Sequence, residues 1–264
     1  MITVTGGVFL GMSDTFPFAL WALTLVGISL VIAAGCVFNN VIDRDMDKHM
    51  LRTQSRVLVT GVLSPRIALV YGAVLGLLGL GLLAAFTNTL TAFIALTGLF
   101  FYVMLYSLWL KRRATWGLLV GGIAGAIPPV VGYTALTNRF DLGAVLLFVL
   151  LFFWQIPHFY AIALYRLEDY RSAQMPLLPL RKKPVYTQIH MLCYIAILTL
   201  LLLLTACFGY TGYLYAVVTA SFTFIWFLYG LIMLKKQDQR IWAKKMFLFS
   251  IIDIMVLSLL MWIR

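Results

Sequence analysis

Three oxygen-bearing side chains, Asn39, Asp43 and Asp47, recur at i, i+4 and i+8 in the segment NNVIDRDMDKHM. At about 100° per residue such positions drift only about 40° per step, so an amide and two carboxylates share one helix stripe while Asp45 points away. Hard oxygen ligands suit Mg²⁺, which binds one or two carboxylates and takes its remaining ligands from water and substrate phosphates. The stripe therefore predicts a magnesium-assisted diphosphate site rather than a protein-only cage. Cations downstream fit an anion: Arg52 and Arg56 follow closely, and Lys111, Arg112 and Arg113 form a second group. Such donors stabilise charge developing on a departing diphosphate. The plainer alternative is a solvated helix end, with Asp43 and Asp47 paired to Arg44, Lys48 or Arg52 and the other cations serving orientation or lipid headgroups.

A second constellation lies in WQIPHFYAIALYRLEDYRSAQMPLLP. Gln155 and His158 sit inside an apolar run, where polar groups are expensive and turn toward a cavity or the bundle interior. His158, Tyr165 and Asp169, at i, i+7 and i+11, share a face, while Glu168 points elsewhere and is solvated. For His158 the alternative to work on a substrate is a hydrogen bond to a neighbouring helix. His190 is explained as well by one interhelical bond. His49 is expected in solvent, and Asp253, isolated in the last apolar run, needs a polar partner in the bundle.

The elements that must position these groups are set by composition. Of 264 residues 63% are hydrophobic and 11% charged, which excludes a water-soluble domain with an ordinary polar surface. Uncharged runs long enough to span about 30 Å of hydrocarbon cover 16–38, 67–86, 90–110, 116–136, 142–165, 185–208 and 213–234. An eighth, 246–263, is broken only by Asp253. Lacking period-two alternation, they are helices and not a closed barrel. Residues 1–12 (MITVTGGVFLGM) are too short to cross and lack a signal peptide's charged front; they read as a truncated first helix. The fold class is all-α, a polytopic transmembrane bundle forming one domain over 1–264, with no soluble insertion and no convincing repeat of its halves.

The net charge of +11 does not indicate nucleic acid, because alternating spans put 18 of the 20 Lys and Arg residues in the connections 39–66, 111–115, 166–184 and 235–245. Arg139 and Arg264 are left opposite. The positive-inside rule makes those four connections cytoplasmic. Two of them are long and punctuated by Pro and Gly, as working loops are. Cys36, Cys193 and Cys207 show no metal-ligand spacing and read as packing residues. In GGIAGAIPPVVGY, Gly121, Gly122 and Gly125 allow close helix approach, and Pro128 and Pro129 predict a break.

In order, NxxxDxxxD, MxRTxxRVL, YSLWLKRR, GGIAGAIPP, WQIPHFYAIALYRLEDY and RIWAKKMFLFS resemble the heme O synthases of the UbiA-type superfamily of intramembrane aromatic prenyltransferases. The likeness covers nearly the whole chain. It implies a nine-helix bundle whose central cavity is capped by the two long inner loops, with Mg²⁺, farnesyl diphosphate as donor and heme b as acceptor. It implies conversion of the 2-vinyl group to a hydroxyethylfarnesyl group, with diphosphate lost and water supplying the hydroxyl. Asn39, Asp43 and Asp47 then match the first Asp-rich motif as metal ligands. Arg52, Arg56, Lys111, Arg112 and Arg113 match the diphosphate donors. His158 and Asp169 match the second motif, for heme contact or proton transfer, with Gln155, Tyr165 and Arg166 beside them as heme contacts. Two departures stand out. The chain starts partway through the first helix, and Ala173 follows Asp169 where many members pair a second Asp. The resemblance further suggests a bacterial cytoplasmic (inner) membrane, a cytoplasmic active site, and heme A synthase or terminal oxidase assembly proteins as partners. The rivals are a prenyltransferase for a quinone precursor such as 4-hydroxybenzoate, a transporter, and a heme-binding membrane protein without catalysis.

Overall fold

Hydrocarbon offers backbone amides no water, so each long apolar run closes its own hydrogen bonds as a helix. The computed structural model describes residues 1–12, 15–236 and 238–263, and among these eight helices are long and apolar enough to cross a membrane. Arg264, expected on the outer side, lies outside the described residues. In chain order the helices are α1 (Ile2–Gly11), α2 (Phe18–Ile42), the single turn α3 (Arg44–Asp47), α4 (Pro65–Phe86) and α5 (Thr89–Phe100), which continues as a π-helix over Phe101–Leu110. After these come α6 (Gly117–Gly125), α7 (Ile127–Thr137), α8 (Leu142–Tyr165), the short α9 (Leu167–Ser172) and α10 (Leu178–Arg181), then α11 (Pro184–Cys207), α12 (Tyr213–Met233) and α13 (Gln239–Leu259).

The spans match the expected runs closely, with one instructive difference. The last begins at Gln239 and not near Met246, because the Asp238 carboxylate accepts the Arg240 and Ile241 amides at 2.8 and 3.3 Å. A capped start lets a charged first turn be helical, although hydropathy registers it as loop. The expected break in GGIAGAIPP is present: α6 ends at Gly125, and α7 restarts with proline in its first turn.

Backbone-to-backbone contact builds the half of the bundle away from the long loops. A Cβ on Gly7 would sit 1.9 Å from the Pro129 oxygen, one on Gly132 2.1 Å from that of Val4, and one on Gly79 2.7 Å from that of Gly27. Small residues are what allow helices to approach so closely in lipid. The short α1 is thereby pressed against α7 and completes the nine-helix arrangement, with Val4 and Val8 buried. Outward faces carry Leu69, Leu77, Phe93, Leu200 and Val217, all exposed, as a bilayer solvent requires. At the other end the long connections meet: Ser172 Oγ donates to the His49 carbonyl at 2.7 Å, and Met50, Ala163, Met175 and Leu177 form a small buried cluster beneath that contact.

Candidate active site

Helix α2 stops at Ile42, yet the acidic stripe survives. Asp43 keeps helical dihedrals (φ −85°, ψ −1°) and its carbonyl accepts the Asp47 amide at 2.9 Å, so α3 extends the same face. Asp43 and Asp47 are 3% and 4% exposed, whereas Asp45 reaches solvent and pairs loosely with Lys48 at 3.9 Å. Their partners are not the local cations. Lys111 Nζ donates to Asp43 Oδ2, and Arg56 donates to Asp47 Oδ2 at 2.6 Å. Arg44 instead donates to the Leu58 carbonyl at 2.8 Å. The solvated-helix-end alternative therefore does not describe this site: Lys111 comes from 68 residues away, Arg56 from the following loop, and both carboxylates are buried.

The π-helix explains how Lys111 arrives there. Nine residues separate Tyr102 from Lys111, about two and a half α-helical turns, which would set them on opposite faces. Wider turns, closed by a 2.8 Å bond from the Lys111 amide to the Tyr106 carbonyl, rotate less per residue and bring Tyr102, Tyr106 and Lys111 to one cavity. Tyr102 and Tyr106 stack with centroids 6.1 Å apart, and Lys111 lies 5.7 Å from the Tyr106 centroid. Asn39 Nδ2 donates to Ser107 Oγ at 3.0 Å, tying the stripe to this helix.

These groups line a cavity of about 450 Å³ whose walls include Asn39, Asp43, Asp47, Arg52, Arg56, Lys111, Tyr165, Arg166 and Tyr170. Burial raises the Tyr170 phenol above its ordinary range, with Arg52 and Arg166 opposing, so it remains a neutral hydroxyl on the wall. Tyr102, Gly121 and Phe159 are shared with a second, apolar cavity of about 240 Å³ between Ile28, Val31, Leu99, Ala124 and Pro128. Two of its lining residues, Ile32 and Cys36, also reach the outer surface of the bundle. A third cleft, of about 630 Å³, shares Arg52, Tyr165 and Arg166 with the first and adds Asp169, Asp238 and Arg240.

Not every expected residue faces these spaces. Gln155 is buried and donates to the Gly122 carbonyl, so tightly that a Cβ on Gly125 would fall 2.0 Å from its Oε1. His158 Nδ1 shares a 2.7 Å hydrogen bond with Ser250 Oγ, and its ring stacks on Trp154 at 4.8 Å and contacts Phe247 at 5.1 Å. Neither is among the cavity-lining residues. Arg112 donates to the Ile42 carbonyl, closing the end of α2, and Arg113 is exposed. His49 and His190 are exposed. Sequence reasoning passed over Tyr102, Tyr106, Phe159 and Tyr170; the YxxxY spacing ahead of the basic group was the available signal.

The arrangement can hold a polyanion between carboxylates and cations while a hydrocarbon tail runs into the adjoining channel. The chain belongs to the UbiA prenyltransferase family, whose profile matches residues 1–252. It is 44% identical over 261 residues to a protoheme IX farnesyltransferase of Photorhabdus laumondii, covering 99% of this chain and 89% of that protein. It is 47% identical to protoheme IX farnesyltransferase 2 of Pseudomonas paraeruginosa, covering 99% and 88%. Among solved structures, a UbiA homolog from Aeropyrum pernix superposes with a TM-score of 0.76 at 19% identity, over 98% of this chain and 93% of that one. One from Archaeoglobus fulgidus bound to GPP and Mg²⁺ gives 0.68 at 18%, over 99% and 94%. These last two likenesses concern the fold.

Proposed function

We propose that the chain transfers a farnesyl group from farnesyl diphosphate to the 2-vinyl group of heme b with addition of water, giving heme O and diphosphate. The observation that carries the reading is the junction at Tyr102, Gly121 and Phe159, where an acidic and basic cavity adjoins an apolar one and shares its wall. A prenyl diphosphate has that polarity, with a polyanionic head and a hydrocarbon tail. The heme acceptor is supported by the relatives that bear protoheme IX farnesyltransferase as their name.

The acidic stripe fits a divalent ion. Asp43 Oδ1 is buried without a hydrogen-bond partner, and leaving such an acceptor bare costs about 1–3 kcal/mol. No cluster of three or more His, Cys, Asp or Glu is found among the described residues. Asp43 and Asp47, with Asn39, would hold Mg²⁺ only together with substrate phosphate and water. When bound, the ion supplies charge neutralisation for the leaving diphosphate. Arg56 and Lys111 exchange their carboxylates for phosphate oxygens, joined by Arg52, so charge on the departing group is met by fixed donors.

As the allylic C–O bond breaks, its electron pair leaves with diphosphate, and the aromatic faces of Tyr102, Tyr106 and Phe159 steady the passing cation. The vinyl π-electrons form the new C–C bond; water then adds to the adjacent carbon and gives up a proton to the departed diphosphate in the same cavity. The channel keeps water from the cation until that bond has formed. His158 and Gln155 act as positioning residues that fix α8 against α13 and α6. The site faces the cytoplasm of a bacterial inner membrane, in keeping with the clustered cations. A membrane-held product suits transfer to heme A synthase or a terminal oxidase assembly protein.

The deciding experiment incubates purified protein in vesicles with Mg²⁺, farnesyl diphosphate and either heme b or 4-hydroxybenzoate, and identifies products by mass. Heme O from the first acceptor and nothing from the second is expected. Prenylated benzoate, or no porphyrin product, would overturn the assignment.

A further inference from the structure

The third cleft holds three arginines and three acids that do not pair with one another. Its acids are mostly committed: Glu168 pairs with Arg171 at 2.6 Å, and Asp238 caps α13. Its cations are not. The ion pairs of the described residues join Lys48 to Asp45, Arg56 to Asp47, Lys111 to Asp43 and Arg171 to Glu168, and they include neither Arg52, Arg166 nor Arg240. Arg166 and Arg240 instead rest on one aromatic ring, their guanidinium carbons 4.8 and 5.6 Å from the Tyr165 centroid. Three uncommitted guanidinium groups thus face one uncommitted carboxylate, Asp169, in a space of about 630 Å³.

Guanidinium forks recognise carboxylates in bidentate fashion, and they stack on flat π surfaces. The porphyrin acceptor offers both: two propionates along one edge, vinyl groups along the opposite edge, and a planar face between. Because Arg52, Tyr165 and Arg166 also line the diphosphate cavity, a planar ligand lying across Tyr165 directs one edge at each space. We infer that Arg240, together with Arg166, is the propionate anchor that selects a porphyrin dicarboxylate and orients its vinyl edge toward the diphosphate. This rests on the heme acceptor proposed above and adds a specificity residue from the first turn of α13, distant in sequence from both acidic motifs.

The test compares Arg240→Gln and Arg240→Lys with the wild-type chain, each in vesicles, using heme b and heme dimethyl ester as acceptors. Binding is read separately by heme absorption without farnesyl diphosphate. Losing one charge-assisted contact should raise the Kd and KM for heme b about tenfold or more in Arg240→Gln, with the KM for farnesyl diphosphate unchanged. Arg240→Lys should fall between the two, since it keeps charge but not the fork. The ester, having no carboxylate to lose, should bind the wild type and Arg240→Gln alike. An unchanged Kd for heme b, or an equal loss for the ester, overturns the anchor. So does an effect that vanishes when anionic lipid is omitted, which would make Arg240 a headgroup contact. No heme O from the wild type under any acceptor would instead remove the function itself, and the anchor with it.

Discussion

Two polar clusters enter the same end of the bundle and end up doing opposite things. Asp43 and Asp47 sit on a helix terminus at a cavity wall, and Asp43 keeps one buried oxygen without any partner. Gln155 and His158 each bond a neighbouring helix, Gln155 donating to the Gly122 carbonyl and His158 Nδ1 bonding the Ser250 hydroxyl, and neither lines the cavities at Asp43 and Asp47. Both clusters are costly inside hydrocarbon. The difference is the space beside them: a polar group bonded to a neighbouring helix and set back from the cavity holds the fold, whereas one left incomplete beside an open space is available to a ligand.

The largest effect should follow from the incomplete group. Asp43→Asn removes a charged oxygen at the diphosphate and should lower heme O formation by about a hundredfold or more. It also strands Lys111, which is 16% exposed, so the fold weakens too. Adding Lys111→Met should restore the thermal midpoint without restoring turnover. Retention of more than a tenth of wild-type activity in Asp43→Asn would place the acidic stripe in the structural class with Gln155. Chelation sharpens the same point: EDTA should abolish product and Mg²⁺ restore it, with Asp47→Asn needing about tenfold more Mg²⁺, the scale of one weakened ionic contact.

A smaller and different effect is expected from the helix-bonded group. His158→Phe leaves Ser250 without its 2.7 Å partner and should cost about 1 kcal/mol of stability, read as a lower thermal midpoint in detergent. Turnover per folded molecule should stay within about threefold of wild type, the rate equivalent of less than 1 kcal/mol. A hundredfold fall with an unchanged midpoint would return His158 to the chemistry and erase the distinction between the clusters.

How far the sequence foretold this follows from the same physics. The spans were legible because hydrocarbon imposes helices of fixed length. The acidic stripe was legible because spacing i, i+4, i+8 is purely local. Its partners were not: which cation reaches Asp43 depends on the π-helix between Phe101 and Leu110, whose altered rotation no hydropathy pattern reveals. Likewise, His158 and Asp43 look equally purposeful in sequence. Only packing shows that Ser250, 92 residues further on, bonds one of them across the helix interface.

Asp253 tests the rule at its weakest point, because it is both fully buried and half-satisfied. Thr223 donates to its Oδ1 at 2.9 Å, while Oδ2 has no partner and Asp253 lines neither polar cavity of the inner face. Unspent valence alone is therefore not enough; an adjoining space must let a ligand use it. Thr223→Val should lower stability by about 0.6–1.7 kcal/mol, the range of single interhelical bonds in membranes, with heme O turnover unchanged. Asp253→Leu in that background should recover most of the loss, since removing both partners is nearly neutral. If Thr223→Val instead slows turnover while the thermal midpoint holds, Asp253 works at a distance from any cavity, and the division between completed and open polar groups needs a third kind.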